Sequence, residues 1–392
     1  MNEEYVWLLE VALTLLAAKA LEALFVRAGF ARILAYLLIG VILSAIYGHF
    51  ELELSDVYEA LALIGIVVLL FQAGLESSLR QFLRSLRDAS IIAIGGVAAS
   101  IIMGILLMPA IGIEFKEALA MGIIFVATSI SVTVKVLEEL GVLTSPEAQA
   151  IIGAAVVDDV IGLALLSILH ALPHNAFNIV QILVVPLLAF GLWFGTAIIS
   201  NALIGRLFRT VLKMQLEAGI EAVSFALVLL LAFLAQMVGL SMILLAYAFG
   251  LGIASFRYAA KRVEERLRIL TSLFAPLFFI YVGSRLDIEL LMSYEIWELI
   301  SVIGIVVLFG FLSKIVGCYL AARILGFSSF QSIVIGIGMV PRAEVALVAA
   351  TMSLEMKLIS HNLFVSVLVL VTVSLFIVPI LIPFIYRHAR RM

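Results

Sequence analysis

The chain has 392 residues, of which 65% are hydrophobic and 13% charged, with a mean hydropathy of +1.25. No soluble domain has a core large enough to bury that much apolar surface, so the composition excludes a soluble globular protein and points to an all-α polytopic membrane protein. A net charge of −3 and a pI near 6.0 argue against nucleic acid as a partner, and the single cysteine, Cys318, excludes an intrachain disulfide.

The opening MNEEYVWLLE is acidic and lacks the basic region of a cleaved signal, so it reads as part of the mature chain. Hydropathy predicts thirteen spans, the first four at roughly 5–26, 32–47, 57–74 and 89–110. In the first, Lys19 and Glu22 are three residues apart and are expected to pair. In the fifth, 117–138, FVATSISVTVKV places Thr128, Ser129, Ser131 and Thr133 in the hydrophobic middle. The sixth, 147–171, contains GAAVVDDVIGLALL, with Asp158 and Asp159 side by side. Spans seven to nine follow at 176–204, 217–238 and 240–255. FRYAAKRVEERLR, 256–268, reads as a short connecting helix at the lipid surface, ahead of the tenth span at 270–287. The eleventh, 296–323, carries Lys314 in VLFGFLSKIVGCYLAA. The twelfth, 329–353, is interrupted by GIGMVPRAEVALV, and the thirteenth, 361–386, leaves only RHARRM behind it. A tail that short is not expected to hold a nucleotide-binding or regulatory domain.

Basic residues set the orientation. Alternate loops and the C-terminal end hold 18 of the 24 Lys and Arg, among them Arg80, Arg84 and Arg87, the 257–268 cluster, and Arg387, Arg390 and Arg391; the opposite loops hold Lys116, Arg285 and Lys357. The positive-inside rule places the C-terminus in the cytoplasm and, with an odd span count, the N-terminus outside the cell membrane. Six spans, a connecting span and six more would give two halves of opposite orientation, a common transporter design with its ion site where broken helices cross. The hydroxyl-rich fifth span and the Gly- and Pro-interrupted twelfth are separated by the offset such a repeat requires.

A carboxylate at the centre of a membrane helix costs roughly 2.5–3.5 kcal/mol, and this chain places two together. Neighbours on a helix point about 100° apart, so one aspartate can face a water-filled cavity while the other faces a neighbouring helix. Lys314 is the natural partner, since its apolar stretch has no carboxylate and Gly310, Ser313 and Gly317 allow close approach. A buried ion pair that merely fixes packing would explain one aspartate and leave the second without a role. Hard oxygen ligands suit a partly dehydrated Na+ or Li+. A buried carboxylate beside another holds a proton more tightly and a desolvated lysine less tightly. Metal ion and protons would then occupy the site in turn, as coupled exchange requires. No Gly-rich phosphate loop, His–Ser or Cys–His constellation or metal-ligand cluster suggests an enzyme or calls for a cofactor.

AAVVDDVIGL resembles the aspartate motif of NapA-like sodium/proton antiporters, in the monovalent cation:proton antiporter-2 family. In order along the chain, LLFQAGLESSLRQF, FVATSISVTVKVLEELGVL, PLFFIYVGSRLDI, FLSKIVG and GIGMVPRAEVALV resemble further segments of that family. The resemblance implies a homodimer, with a dimerisation domain from 1–88 and 216–294, a mobile core from 89–174 and 295–392, and a connecting helix in 175–215. It implies that Asp159 is the principal Na+ and H+ carrier, that Asp158 pairs with Lys314 and releases it when the ion binds, and that Thr128 and Ser129 line the site. It also implies electrogenic exchange, about two protons per sodium. Two departures stand out: Ala343 replaces the family's usual glycine, and the second span lacks the usual proline. Arg342 and Glu344 are expected to pair with charges in the core, a structural role. The other readings are a K+/H+ exchanger on the same scaffold and an organic-solute symporter or sensor, for which polar neutral residues would suit the site better than an acidic pair facing a lysine.

Overall fold

The computed structural model describes residues 6–28, 30–49, 54–77, 79–171, 179–214, 218–237, 242–285 and 294–389, and all regular structure among them is helical. The helices are α1 (Val6–Arg27), α2 (Arg32–His49), α3 (Asp56–Glu76), α4 (Leu79–Ile111), α5 (Phe115–Val126), α6 (Ile130–Glu139), α7 (Pro146–Ala171), α8 (Ile179–Lys213), α9 (Gly219–Met237), α10 (Met242–Ile253), α11 (Arg257–Ser284), α12 (Tyr294–Ile324), α13 (Ser329–Gly338), α14 (Glu344–Glu355) and α15 (His361–Ala389). Over the described residues each predicted span falls on one helix, except that the fifth is split into α5 and α6 and the twelfth into α13 and α14. Eight of the spans among the described residues are long and apolar enough to cross a bilayer unaided by any other criterion.

One boundary differs from the sequence reading. FRYAAKRVEERLR is not a separate connecting helix but the first turns of α11, which runs unbroken into the tenth span. Neither glycine nor proline interrupts 257–275, and Val263 and Leu267 are buried on the face opposite exposed Lys261 and Glu265, so the helix has an apolar stripe to dock from its first turn.

Contacts divide the chain into two compact units. The first comprises Met1–Gly40, Glu51–Arg84 and Leu187–Gly283. Its core joins Val67, Val68 and Phe71 of α3 to Phe208 of α8, Phe249 of α10 and Val263 of α11. The Phe71 and Phe249 rings stack 5.4 Å apart. Close backbone approach carries the α3–α10 contact: a Cβ on Gly74 would lie 2.3 Å from the Tyr247 carbonyl oxygen. Several buried polar groups find partners within the unit, as a lipid-like interior demands. Thr271 donates to Gln72 Oε1 at 2.8 Å, Tyr247 to Ser77 at 3.1 Å and Trp193 Nε1 to the Leu244 carbonyl at 3.0 Å. Lys19 and Glu22 form their ion pair at 2.8 Å, and Tyr36 donates to the same carboxylate.

The second unit comprises Val41–Phe50, Ser85–Pro186 and Ser284–Met392, and contains both split spans. Here α4 and α12 nearly touch, for a Cβ on Gly317 would lie 2.4 Å from the Gly95 carbonyl oxygen. The start of α7 is tied down by the buried Glu147, which accepts from Tyr386 of α15 at 2.6 Å and from Gln331 of α13 at 3.3 Å. These ties hold the helix carrying both aspartates against α13 and α15.

Candidate functional site

Two breaks meet in the second unit. Between α5 and α6 the chain is extended at Ala127 (φ −55°, ψ 129°) and Ser129 (φ −96°, ψ 111°). Between α13 and α14 the break contains Pro341, which has no N–H to donate and turns its predecessor away from helix. Each break satisfies the other. The Ser129 N–H donates to the Pro341 carbonyl at 2.7 Å, and Thr133 Oγ1 donates to the Gly338 carbonyl at 2.7 Å.

Arg342 gathers the carbonyls the breaks leave behind. Its guanidinium, fully buried, donates to the carbonyl oxygens of Phe125 (2.8 Å), Met339 (3.1 Å) and Val340, with Gly310 of α12 at 3.4 Å. Phe125 lies at the C-terminal end of α5, and Met339 and Val340 follow the C-terminal end of α13, so one cation serves the negative ends of two half-helices. Arg342 N–H itself donates to Ser374 Oγ at 3.0 Å, and Ser100 of α4 donates to the Phe125 carbonyl at 3.2 Å.

Beside this crossing sits the charged pair. Lys314 Nζ lies 2.5 Å from Asp158 Oδ2, with Lys314 fully buried and Asp158 3% exposed. Thr128 Oγ1 donates to the same carboxylate oxygen at 3.0 Å. Among the described residues Asp158 Oδ1 is buried without a hydrogen-bond partner, which leaves one carboxylate oxygen open to a further ligand. Asp159, next on α7, is half-buried, so the adjacent aspartates differ in exposure. Ala127, Thr128, Ser129, Ala343, Val345 and Ala346 line a small pocket at the crossing.

The structure therefore brings Thr128, Asp158 and Lys314 into direct contact. Ser129 is buried at the same break, but its hydroxyl pairs with Ser131 Oγ at 3.1 Å. Glu344 begins α14, and its side chain lies outside the described residues. The sequence reading expected Arg342 to pair with charges in the core; the described hydrogen bonds of its guanidinium go to carbonyl oxygens instead, and it bridges two helix ends. The available signal was the Pro-Arg dipeptide at an interruption, since a broken membrane helix exposes carbonyls and an arginine beside it has five donors to offer. Ser100 carried no signal, being one serine in an ordinary apolar span.

Chemically, an ammonium and a carboxylate out of water attract strongly, yet each has been stripped of hydration at a cost of several kcal/mol. A small cation reaching Asp158 offers the carboxylate the compensation that the ammonium offers, so the two compete. Asp159 adds a second carboxylate on the adjoining face of α7.

The sequence matches the family described as "Sodium/hydrogen exchanger, transmembrane" over residues 11–388. It is 27% identical over 379 residues to the Na(+)/H(+)-K(+) antiporter GerN of Bacillus cereus, covering 96% of this chain and 95% of the relative. It is 30% identical over 341 residues to the high-affinity Na(+)/H(+) antiporter NhaS3 of Synechocystis, covering 86% of this chain and 73% of the relative. The structure resembles that of the sodium proton antiporter MjNhaP1 from Methanocaldococcus jannaschii, with a TM-score of 0.69, 15% identity and 98% and 96% of the two chains covered. At that identity the likeness speaks to the fold.

Proposed function

The chain belongs to the transmembrane sodium/hydrogen exchanger family, a multi-pass membrane transporter and not an enzyme, and from that premise we propose that it exchanges Na+ or Li+ for H+ electrogenically. The observation that carries the reading is the buried contact of Lys314 Nζ with Asp158 Oδ2 at 2.5 Å, shared with Thr128 and adjoining the half-buried Asp159. Asp159 takes the incoming cation or a proton. Asp158 joins it as ligand and lets go of Lys314, which loses its proton once its counter-charge is gone. The bound cation thus replaces one proton from a carboxylate and one from the lysine, about two per sodium, and net charge crosses the membrane in each cycle. Thr128 orients the Asp158 carboxylate through its hydrogen bond, and Ser129 lines the approach. No resident cofactor is needed.

In this account the first unit anchors a homodimer and the second, bearing both breaks, is the mobile core, in the cell membrane with the C-terminus cytoplasmic. Arg342 keeps the crossing rigid while the core moves, and its carbonyl partners support that role. K+/H+ exchange is the second reading, favoured by the name of the Bacillus cereus relative, a Na(+)/H(+)-K(+) antiporter. Proton movement in proteoliposomes, driven by Na+, Li+ and K+ pulses at a clamped potential, separates the two. A voltage-dependent response to Na+ and Li+ is expected. A response to K+ alone would replace the first reading with the second, and silence to all three would overturn both.

A further inference from the structure

Three arginines of the first unit, far in sequence, converge where α8 ends and α11 begins. The two helices touch there: a Cβ on Gly205 would lie 2.4 Å from the Phe256 ring, and Ser255 donates to Asn201 Oδ1. Two spans separate α8 from α11, so the pair runs antiparallel. In an antiparallel pair, residues that lead the contact by similar rotations emerge on the same side. At about 100° per residue, Arg206 and Arg209 lead Gly205 by about 100° and 40°, and Arg257 leads Phe256 by about 100°. All three are exposed. The trailing side carries Phe208, Val211 and Ala259 instead, buried in the core of the unit. Arg209 Nε donates back to the Gly205 carbonyl at 3.0 Å, which holds its guanidinium near the contact. The carboxylates on α9 and α11 serve other cations: Glu221 lies 2.8 Å from Arg262, Glu265 lies 3.9 Å from Lys261, and Glu264 is near Arg268 and Lys261. Among the described residues none pairs with Arg206, Arg209 or Arg257. Beside them Leu203, Leu207 and Tyr258 are 52%, 38% and 71% exposed.

We propose that Arg206, Arg209 and Arg257 form a headgroup site for an anionic phospholipid, its phosphodiester held by the guanidinium forks and its acyl chains lying along Leu203 and Leu207. Basic residues that merely orient a chain need not share one side of one helix pair. A free phosphate would meet the same cations but leave the apolar stripe uncovered. Bound lipid relieves the repulsion among the three arginines and fastens the ends of α8 and α11 together, so it stabilises the first unit whichever ion the second one exchanges.

Thermal unfolding of the full chain in neutral detergent tests this, titrated with phosphatidylglycerol, with phosphatidylcholine of the same acyl chains and with inorganic phosphate. The wild type is expected to be stabilised by phosphatidylglycerol alone. Arg206→Gln/Arg209→Gln/Arg257→Gln is expected to need at least about tenfold more of that lipid for the same shift. Lys116→Gln/Arg323→Gln/Lys357→Gln, which removes as much exposed charge elsewhere, is expected to match the wild type. The three arginines changed to lysine keep every charge and lose the fork, and are expected to need about threefold more lipid; this variant decides the case if the glutamine variant does not fold. Equal stabilisation by phosphatidylcholine, a shift reproduced by inorganic phosphate, or a lysine or glutamine variant that matches the wild type overturns the proposal.

Discussion

Replacing Lys314 by glutamine separates an exchange site from a packing pair. The lysine is fully buried and its partner 3% exposed, so the change strands a carboxylate in a dry interior with Thr128 as its remaining described donor. Breaking a buried pair by removing one partner costs about 3–5 kcal/mol. Lys314→Gln should therefore unfold at clearly lower temperature than the wild type in detergent without Na+. Sodium should then stabilise the variant more than the wild type, because the ion meets a bare carboxylate instead of an ammonium-bound one. At 100 times its Kd a ligand adds about 2.7 kcal/mol, enough to return most of the loss. The double variant Asp158→Asn/Lys314→Gln, with no stranded charge, should regain stability without sodium. Thermal unfolding across a sodium titration reads all three proteins. A Lys314→Gln variant as stable as wild type, with no larger response to sodium, would refute competition between lysine and cation.

Other outcomes follow from the same geometry. Asp159→Asn should abolish exchange while leaving a folded protein, checked by proteoliposome transport beside size-exclusion chromatography; robust transport would remove Asp159 from its role. Thr128→Val deletes the 3.0 Å hydrogen bond to Asp158, about 1.5–3 kcal/mol for a bond to a charged group, and should raise half-saturating Na+ by at least about tenfold. Arg342→Lys keeps the charge but loses the fork that spans the carbonyls of Phe125 and Met339. It should lower stability by a few kcal/mol in thermal unfolding, and a wild-type melting curve would show that the bridge is idle.

The class, the spans and both interruptions were legible because each depends on local composition: apolar length, a hydroxyl cluster, a proline beside glycines. The pairing of Asp158 with Lys314 was legible for another reason, since charges are scarce in this interior and must find each other. Partnerships that depend on where half-helices converge were not. Arg342 reaches the Phe125 carbonyl across 217 positions, and Tyr386 reaches Glu147 across 239. Neither carbonyls nor a tyrosine near a span end stand out in a sequence. Thr128 and Ser129 look equivalent on paper, but the register of the break turns one hydroxyl to Asp158 and the other to Ser131. The continuity of α11 was obscured by charge, because a basic amphipathic stretch reads alike whether it lies on a membrane or begins a helix that enters it.

The central claim is that cation and protons occupy one site in turn, and proton release on cation binding tests it most directly. Purified protein in weakly buffered detergent solution, with a pH indicator, is mixed with Na+ and the released protons are counted. The account predicts release from the wild type, about one proton fewer from Lys314→Gln, and none from Asp158→Asn/Asp159→Asn. Sodium binding without proton release, or equal release from wild type and Lys314→Gln, would contradict it.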